Sequence, residues 1–189
     1  MPNLQIGIIA EDDSDVDCLK SFIKRILANK QVSFKKFVGQ GCGKISKKAH
    51  AWAEIFKAQG CTSLILLHDL DRNNKTSLLK KLNESLLPSP IEKYLICIPI
   101  EELEAWLLSD VNAIKQVFNI NQNISLPTNP ETTNSPKEFL GKFVRKETNK
   151  KVDYINTRHN LKIAEIIDIS LIFDKCSTFQ QFQNFIKTL

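Results

Sequence analysis

The feature that most limits the possible folds of this sequence is a regular alternation of short apolar runs with segments of helical periodicity. Apolar runs cover residues 4–10, 63–68 and 93–99, and at 31–38 apolar residues separated by polar ones suit a partly exposed strand. Between them, apolar residues recur at helical spacing. Strands that alternate with helices pair in parallel through right-handed crossovers. We therefore expect an α/β fold, a three-layer Rossmann-like domain with a four-stranded, mainly parallel sheet.

The pattern changes in the second half of the chain. A polar stretch with two prolines covers residues 119–135, and helical periodicity returns at 136–146, 161–167 and 178–189, with Asn160 and Ser177 expected to open the last two helices. We therefore expect residues 1–112 to form the α/β domain and residues 113–189 to form a helical C-terminal extension packed on it. A chain of 189 residues is long enough to bury a sizeable core.

Acidic residues follow three of the four predicted strands. Glu11 follows the first strand, Asp69 and Asp71 follow the third, and Glu102 and Glu104 follow the fourth. In open parallel α/β sheets the ligand site lies beyond the carboxyl ends of the strands. Like charges brought together there repel, and a hard divalent cation that shares their oxygens relieves the repulsion. We therefore predict that these five residues bind Mg²⁺ or Mn²⁺.

The D-x-D spacing supports this prediction, because alternate residues of an extended segment point the same way. Asp69 and Asp71 would then contact one ion while Leu70 turns into the core. The neighbouring aspartates Asp12 and Asp15 also suit the start of a helix, where acidic side chains cap the backbone and interact with the helix dipole. For Asp15 we favour this helix-end role.

The positive charge of the chain is concentrated in one region. Residues 134–162 contain eight Lys and Arg against three acidic residues, a surplus equal to the net charge of +5 of the whole chain. Such a surface attracts phosphate backbones, although a solvated basic helix has the same pattern. A turn at residues 39–44 contains three glycines and a lysine but matches no phosphate-binding motif. The predicted nucleic-acid-binding residues are Lys44, Lys47, Arg72, Lys137, Lys142 and Arg145.

Two groups of motifs resemble a known superfamily. EDDSD at residues 11–15, followed by LLHDLD at 66–71, resembles the Toprim domain of topoisomerases, bacterial primases, OLD-family nucleases and small ribosomal-RNA-maturation nucleases. The block PIEELEAWLLSD at 99–110, with SPKEFL at 135–140, is similar to small Toprim-like proteins that carry a Glu-hydrophobic-Glu-Ala element. The resemblance implies a catalytic role for Glu11, with Asp69 and Asp71 as Mg²⁺ ligands.

The resemblance also implies a function. We expect a Mg²⁺-dependent phosphodiesterase, a nuclease acting on DNA or RNA, of the kind found in phage defence or toxin-like systems with a protein partner encoded nearby. One departure from Toprim domains is Asp12, which stands where a glycine usually follows the first Glu. Tyr154 would be a covalent nucleophile in a topoisomerase-like scheme, but the chain is too small to pass strands.

Two alternative functions stay open. IIAEDD at residues 8–13, with Asp69 after a later strand, also resembles a receiver-like phosphoacceptor domain. Against that alternative, the fourth strand ends in Ile98 and Pro99 instead of Ser or Thr. The second alternative is a nucleic-acid-binding module without catalysis, which the side chain of Asp12 suggests.

The cysteines and the hydropathy bear on location. Five cysteines are scattered without a C-x-x-C pair, which is typical of reduced thiols in a cytoplasmic protein. No run approaches 18 uninterrupted apolar residues, so we expect no membrane insertion.

Overall fold

A computed structural model describes residues 4–39 and 42–189, and it describes their side chains except at residues 42–44. In this part of the chain the sheet consists of β1 (Leu4–Ala10), β2 (Val32–Val38), β3 (Ser63–Leu67) and β4 (Lys93–Cys97). The helices are α1 (Asp13–Ile26), α2 (Cys42–Ala58), α3 (Lys75–Leu86), α4 (Glu104–Leu107), α5 (Val111–Phe118), α6 (Pro136–Glu147), α7 (Asn156–Ile166), α8 (Ile169–Lys175) and α9 (Ser177–Lys187). A 3₁₀ turn covers Pro130–Thr132.

The four strands lie in the order β2-β1-β3-β4, and all three pairings are parallel. The expected α/β fold with a four-stranded sheet is confirmed, and in the described residues the sheet is parallel throughout. The chain leaves β1 toward one edge of the sheet and later crosses to β3 on the other side of β1. The carboxyl ends of β1 and β3 therefore form the point where the winding direction reverses, which is where open α/β sheets bind ligands.

Apolar clusters cover both faces of the sheet. One contains residues of α1 and of the helices from α4 onward, and the other contains residues of α2 and α3. The β1 position that packs against Phe56 of α2 is glycine, because a Cβ on Gly7 would lie 2.4 Å from Cδ2 of Phe56. The clusters leave the strand ends free to carry polar groups.

The C-terminal helices pack on α1. Arg25 donates from its guanidinium to the carbonyls of Ala164 and Ile167, at 2.7 and 2.5 Å, and Ser21 donates to Ala164 at 3.1 Å. The first apolar cluster runs without a break from β1 to Ile186. The division of the chain at residue 112 stays a prediction. No helix in the described residues is long and apolar enough to cross a membrane.

The predicted start of α7 is wrong. The helix begins at Asn156, and Asn160, expected to cap it, lies fully buried inside it. The ring nitrogen Nδ1 of His159 accepts a hydrogen bond from the N–H of Ile155 at 3.0 Å. A side chain from within the helix thus binds a backbone donor at its start.

The cap of α9 also differs from the prediction. Cys176 occupies the N-cap position, and Ser177 is the first helical residue. The carboxylate of Glu131 accepts from the backbone N–H groups of Ser177 and Thr178, each at 3.0 Å. The acceptor that a cap would supply comes from the 3₁₀ turn instead. Helix α8, directly before α9, was not expected.

The first helix after β4 is a single turn that begins at Glu104. Glu101 has a left-handed backbone conformation with φ 61°, and its carbonyl accepts from the N–H of Asp71 at 3.0 Å. The segment after β4 is therefore held against the segment after β3 before the helix can start.

Candidate functional site

The turns that follow β3 and β4 stay paired beyond the sheet. The N–H of His68 donates to the carbonyl of Cys97, and that of Leu70 donates to Pro99, both at 3.1 Å. The carboxylate of Asp69 continues this pairing, because its Oδ1 accepts from the N–H of Leu103 at 3.0 Å. These contacts bring the acidic segments after β3 and β4 side by side.

Glu11 lies at the end of β1 and contacts the third strand through His68. Its Oε1 is 3.3 Å from Nε2 of His68, and this oxygen is buried without a hydrogen-bond partner among the described residues. Burial raises the pKa of Glu11 above its ordinary value; His68 lowers it, and the charges of Asp71 and Asp12 raise it. Glu11 and the D-x-D pair therefore influence one another electrostatically.

His68 is held in one orientation. Its Nδ1 lies 2.7 Å from the carbonyl oxygen of Asp69, which can only accept, so Nδ1 carries the hydrogen of this bond. Nε2 is the ring nitrogen that faces Glu11. A second proton, on Nε2 or on the carboxyl group, is then needed to make this contact favourable.

Asp69 is half-buried and surrounded by acidic groups. Burial raises its pKa well above the ordinary value, and the charges of Asp15, Glu104, Asp71 and Glu11 raise it further. Buried carboxylates with like-charged neighbours hold their protons, or require a cation, at neutral pH.

Asp71 departs from the extended geometry assumed for the D-x-D motif. It has φ 47° and its side chain is exposed, so the alternation expected of a strand ends before it. Arg72, Glu101 and Ser135 also have left-handed backbones, with φ of 61°, 61° and 47°. Such conformations in residues other than glycine are strained and concentrate at functional sites.

Asp12 and Asp15 have different roles in the first turn of α1. Oδ1 of Asp12 accepts from the N–H of Asp15 at 3.0 Å, and its Oδ2 accepts from Asn156 at 3.3 Å, so Asp12 is a helix cap as expected. Asp15 is only 6% exposed. Burial and then the charges of Asp12 and Glu104 raise its pKa to about 8. Asp15 therefore belongs to the carboxylate cluster. A role at the start of the helix does not by itself account for its burial among other carboxylates.

Glu102 and Glu104 are each bound by groups from the second half of the chain. Oε2 of Glu102 accepts from the N–H of Lys137 at 2.7 Å, and burial raises the pKa of Glu102. Glu104 is 3% exposed, and its Oε1 accepts from the hydroxyl of Tyr154 at 3.1 Å and from Nδ2 of Asn160 at 3.0 Å. We name Glu11, Asp15, Asp69, Asp71, Glu102 and Glu104 the carboxylate cluster.

Sequence reasoning missed Asn160 as a site residue, and it rejected Tyr154 as a nucleophile without finding its contact with Glu104. Burial, followed by the charge of Glu104, raises the pKa of Tyr154, which keeps the hydroxyl protonated and unsuited to nucleophilic attack. The signal for Asn160 was available: it shares a helical face with Ile163 and Ala164, where a polar side chain is unusual.

The ligand arrangement of a metal site is not preformed. Within residues 4–39 and 42–189, no group of three or more His, Cys, Asp and Glu side chains is placed to hold an ion. The cluster combines oxygen donors of the type that Mg²⁺ prefers with carboxylates whose pKa values are raised by burial and by one another.

Two of the predicted cationic residues border the cluster. Arg72 is exposed, donates to Oγ of Ser135 at 2.6 Å and lies 3.7 Å from the carboxylate of Glu101. Lys137 is in the first turn of α6, beside Glu102.

The other predicted cationic residues lie farther away or outside the described side chains. Lys142 and Arg145 are exposed on α6, about 7 and 12 Å along the helix axis from Lys137. They lie 3.6 and 3.9 Å from the carboxylates of Glu138 and Asp153. Lys47 is exposed on α2. The side chain of Lys44 lies outside the described residues.

The fold and the site define a three-layer α/β protein with a partly buried carboxylate cluster at the carboxyl edge of a parallel sheet. The chain belongs to the family described as Domain of unknown function (DUF4276), whose model matches residues 10–187. Neither the curated proteins nor the solved structures contain a match. The resemblance to Toprim domains stays a prediction.

Proposed function

We propose that this chain is a Mg²⁺-dependent phosphodiesterase that cleaves DNA or RNA, with Mn²⁺ as an alternative ion. The observation that supports it is the buried Oε1 of Glu11, which forms no hydrogen bond among the described residues although Nε2 of His68 lies 3.3 Å away, next to Asp69 and Asp71. A buried polar atom without a partner costs about 1–3 kcal/mol. A cation that shares the carboxylate oxygens would remove this cost and the mutual repulsion.

The carboxylate oxygens of the cluster are of the chemical type that a hard cation prefers. Glu11, Asp69 and Asp71 would hold the ion. Glu102 and Glu104 would be further ligands, each through the carboxylate oxygen that accepts no hydrogen bond from Lys137, Tyr154 or Asn160. Because the ligand arrangement is not preformed, binding would have to draw the carboxylates together. A divalent ion held there would supply polarisation of the scissile phosphate and a lower pKa for a bound water molecule.

Glu11 would transfer the proton. A general acid or base must lie within hydrogen-bond reach of the reacting oxygen and have a pKa near the working pH. Burial raises the pKa of Glu11 in that direction. His68, oriented by the carbonyl of Asp69, would hold the Glu11 carboxyl group in place.

Cationic residues near the cluster would bind the phosphate backbone. Arg72 and Lys137 border the cluster, and Lys142 and Arg145 extend a basic surface along α6. Contacts of this kind fix the position of a strand without reading its sequence, and they weaken as salt increases. A cytoplasmic role in phage defence or a toxin-like system, with a partner protein, belongs to the same proposal.

A second candidate is a nucleic-acid-binding module without catalysis. Two observations favour it. The carboxylates are not placed as a ready ligand set in the described part of the chain, and Asp12 uses both oxygens in hydrogen bonds where Toprim domains usually have glycine. Binding that depends on salt, without cleavage in Mg²⁺ or Mn²⁺, would favour this candidate.

The test is cleavage of labelled single-stranded DNA, duplex DNA and RNA by the purified chain in Mg²⁺, Mn²⁺ or EDTA. We expect cleavage only with a divalent ion, and we expect Glu11→Gln and Asp69→Asn each to abolish it. The matched controls are Glu84→Gln and Asp174→Asn, which remove the same charges from exposed positions. They should cleave like the wild type.

Two results would contradict the proposal. One is cleavage that continues in EDTA or at the wild-type rate in either cluster variant. The other is the absence of cleavage by the wild-type chain on all three substrates with both ions, together with intact binding, which would leave the binding module as the better account.

A further inference from the structure

The C-terminal part of the chain holds Glu104 through a small polar network. The hydroxyl of Tyr154 and Nδ2 of Asn160 both bind Oε1 of Glu104, at 3.1 and 3.0 Å. Nδ2 of Asn160 also donates to Oγ of Ser14 at 3.0 Å. In the described residues, the hydrogen bonds to the Glu104 carboxylate all go to Oε1, which leaves Oε2 available to another partner.

Burying the amide side chain of Asn160 is energetically costly. It is fully buried on the face of α7 that also carries Ile163 and Ala164. An amide there is tolerated only when its polar atoms are satisfied, and an aliphatic side chain would need no partners. A residue that breaks the local apolar pattern is expected where a site requires it. Its partners are Glu104, Tyr154 and Ser14, so this requirement points to the cluster.

The hydroxyl of Tyr154 completes the network. It contacts Oε1 of Glu104 and also forms a short contact with Oδ1 of Asn160. A hydroxyl has one hydrogen, so it is shared between these two acceptors. The ring is fixed separately by Phe118 and His159, whose centroids lie 6.4 and 6.1 Å away. Orientation of the ring and donation by the hydroxyl can therefore be separated experimentally.

We propose that Tyr154 and Asn160 are positioning residues that fix the Glu104 carboxylate, so that its second oxygen serves the cation site. The inference rests on the proposed function, because it gives Glu104 the role of a ligand. Groups that hydrogen-bond to a metal ligand orient it, and their loss typically weakens metal binding by about 10- to 100-fold. The network would then explain why α7 reaches the first turn of α1.

The test measures Mn²⁺ binding by the free-ion signal in electron paramagnetic resonance, without substrate. Tyr154→Phe removes the hydroxyl and keeps the ring, and we expect it to weaken Mn²⁺ binding about tenfold. Tyr94→Phe is the matched control, because Tyr94 is the other tyrosine of the chain and lies in β4. Its Mn²⁺ affinity should equal that of the wild type.

The outcomes separate the inference from the proposed function. Equal Mn²⁺ affinity of Tyr154→Phe and wild type, with a lower unfolding temperature for the variant, would mean a purely structural network and would overturn the inference alone. Failure of the wild type to bind Mn²⁺ would overturn the proposed function and the inference with it. If Tyr154→Phe does not fold, Ser14→Ala, which removes the acceptor that steadies Asn160, must weaken Mn²⁺ binding for the inference to stand.

Discussion

Replacing Asp15 by asparagine is expected to stabilise the metal-free protein at neutral pH. Asparagine has nearly the shape of a protonated aspartic acid, and Asp15 is almost fully buried among other carboxylates. The variant therefore removes a charge that the folded state disfavours. The usual expectation for a buried polar residue, loss of stability on substitution, is reversed here.

The magnitude follows from the pKa of Asp15, which is raised from 3.8 to about 8, first by burial and then by Asp12 and Glu104. Between about pH 4 and pH 7 the unfolded chain loses this proton while the folded chain retains it. The folded state then loses about 1.4 kcal/mol per pH unit, or about 4 kcal/mol by pH 7, as an upper bound. We expect Asp15→Asn to recover about 2–4 kcal/mol at pH 7, which raises the unfolding temperature by on the order of 5–15 °C.

The direction of the pKa shift of Asp15 also determines the pH range in which the variant and the wild type differ in stability. A group whose pKa is raised by folding contributes its full stability at low pH and loses it as the pH rises, here from about 4 to about 8. The difference between variant and wild type should be near zero at pH 4 and should grow up to about pH 8. Urea unfolding in EDTA at several pH values measures it, with the exposed Asp174→Asn as control. A variant that is less stable than wild type, or a difference that does not change with pH, would refute the reasoning.

Two further predictions concern ligands. Mg²⁺ should raise the unfolding temperature more at pH 8 than at pH 6, because the carboxylates must lose their protons to bind it. Asp69→Asn should remove most of this increase. An equal increase at both pH values would contradict the prediction. Arg72→Ala should weaken nucleic-acid binding and reduce the slope of log affinity against log salt by about one. Lys80→Ala, which removes an exposed charge on α3, should leave that slope unchanged in the same fluorescence-anisotropy titration.

The strands could be predicted because three of them lie in mainly apolar runs, while in the partly exposed β2 apolar residues are separated by polar ones. The first was expected at residues 4–10 and is found at Leu4–Ala10, since a strand buried between two layers needs apolar residues on both faces. The electrostatic coupling of Glu11 with Asp71 and Asp69 was also predictable, because the carboxyl ends of parallel strands share one edge. Local pattern and fold geometry sufficed for these features.

Contacts between distant segments could not be predicted in this way. Asn160 contacts Glu104, 56 residues away, and Ser14, 146 residues away, and no local pattern encodes such partners. The left-handed conformation of Asp71 also escaped prediction, because it depends on the pairing of its N–H with Glu101. The caps of α7 and α9 were misplaced for a similar reason: their acceptors are side chains outside the usual cap position.

The hydrogen bonds from Arg25 to the last carbonyls of α7 bear on the order in which the site is assembled during synthesis. They fasten α7 to α1, and α7 carries one of the two donors that orient Glu104. A ribosome that has made residues 1–150 has delivered every carboxylate of the cluster, but neither Tyr154 nor Asn160. Since chains emerge from the amino terminus onward, the donors that bind Glu104 are made after all the carboxylates of the cluster. A chain of that length therefore lacks both side chains that donate hydrogen bonds to Glu104.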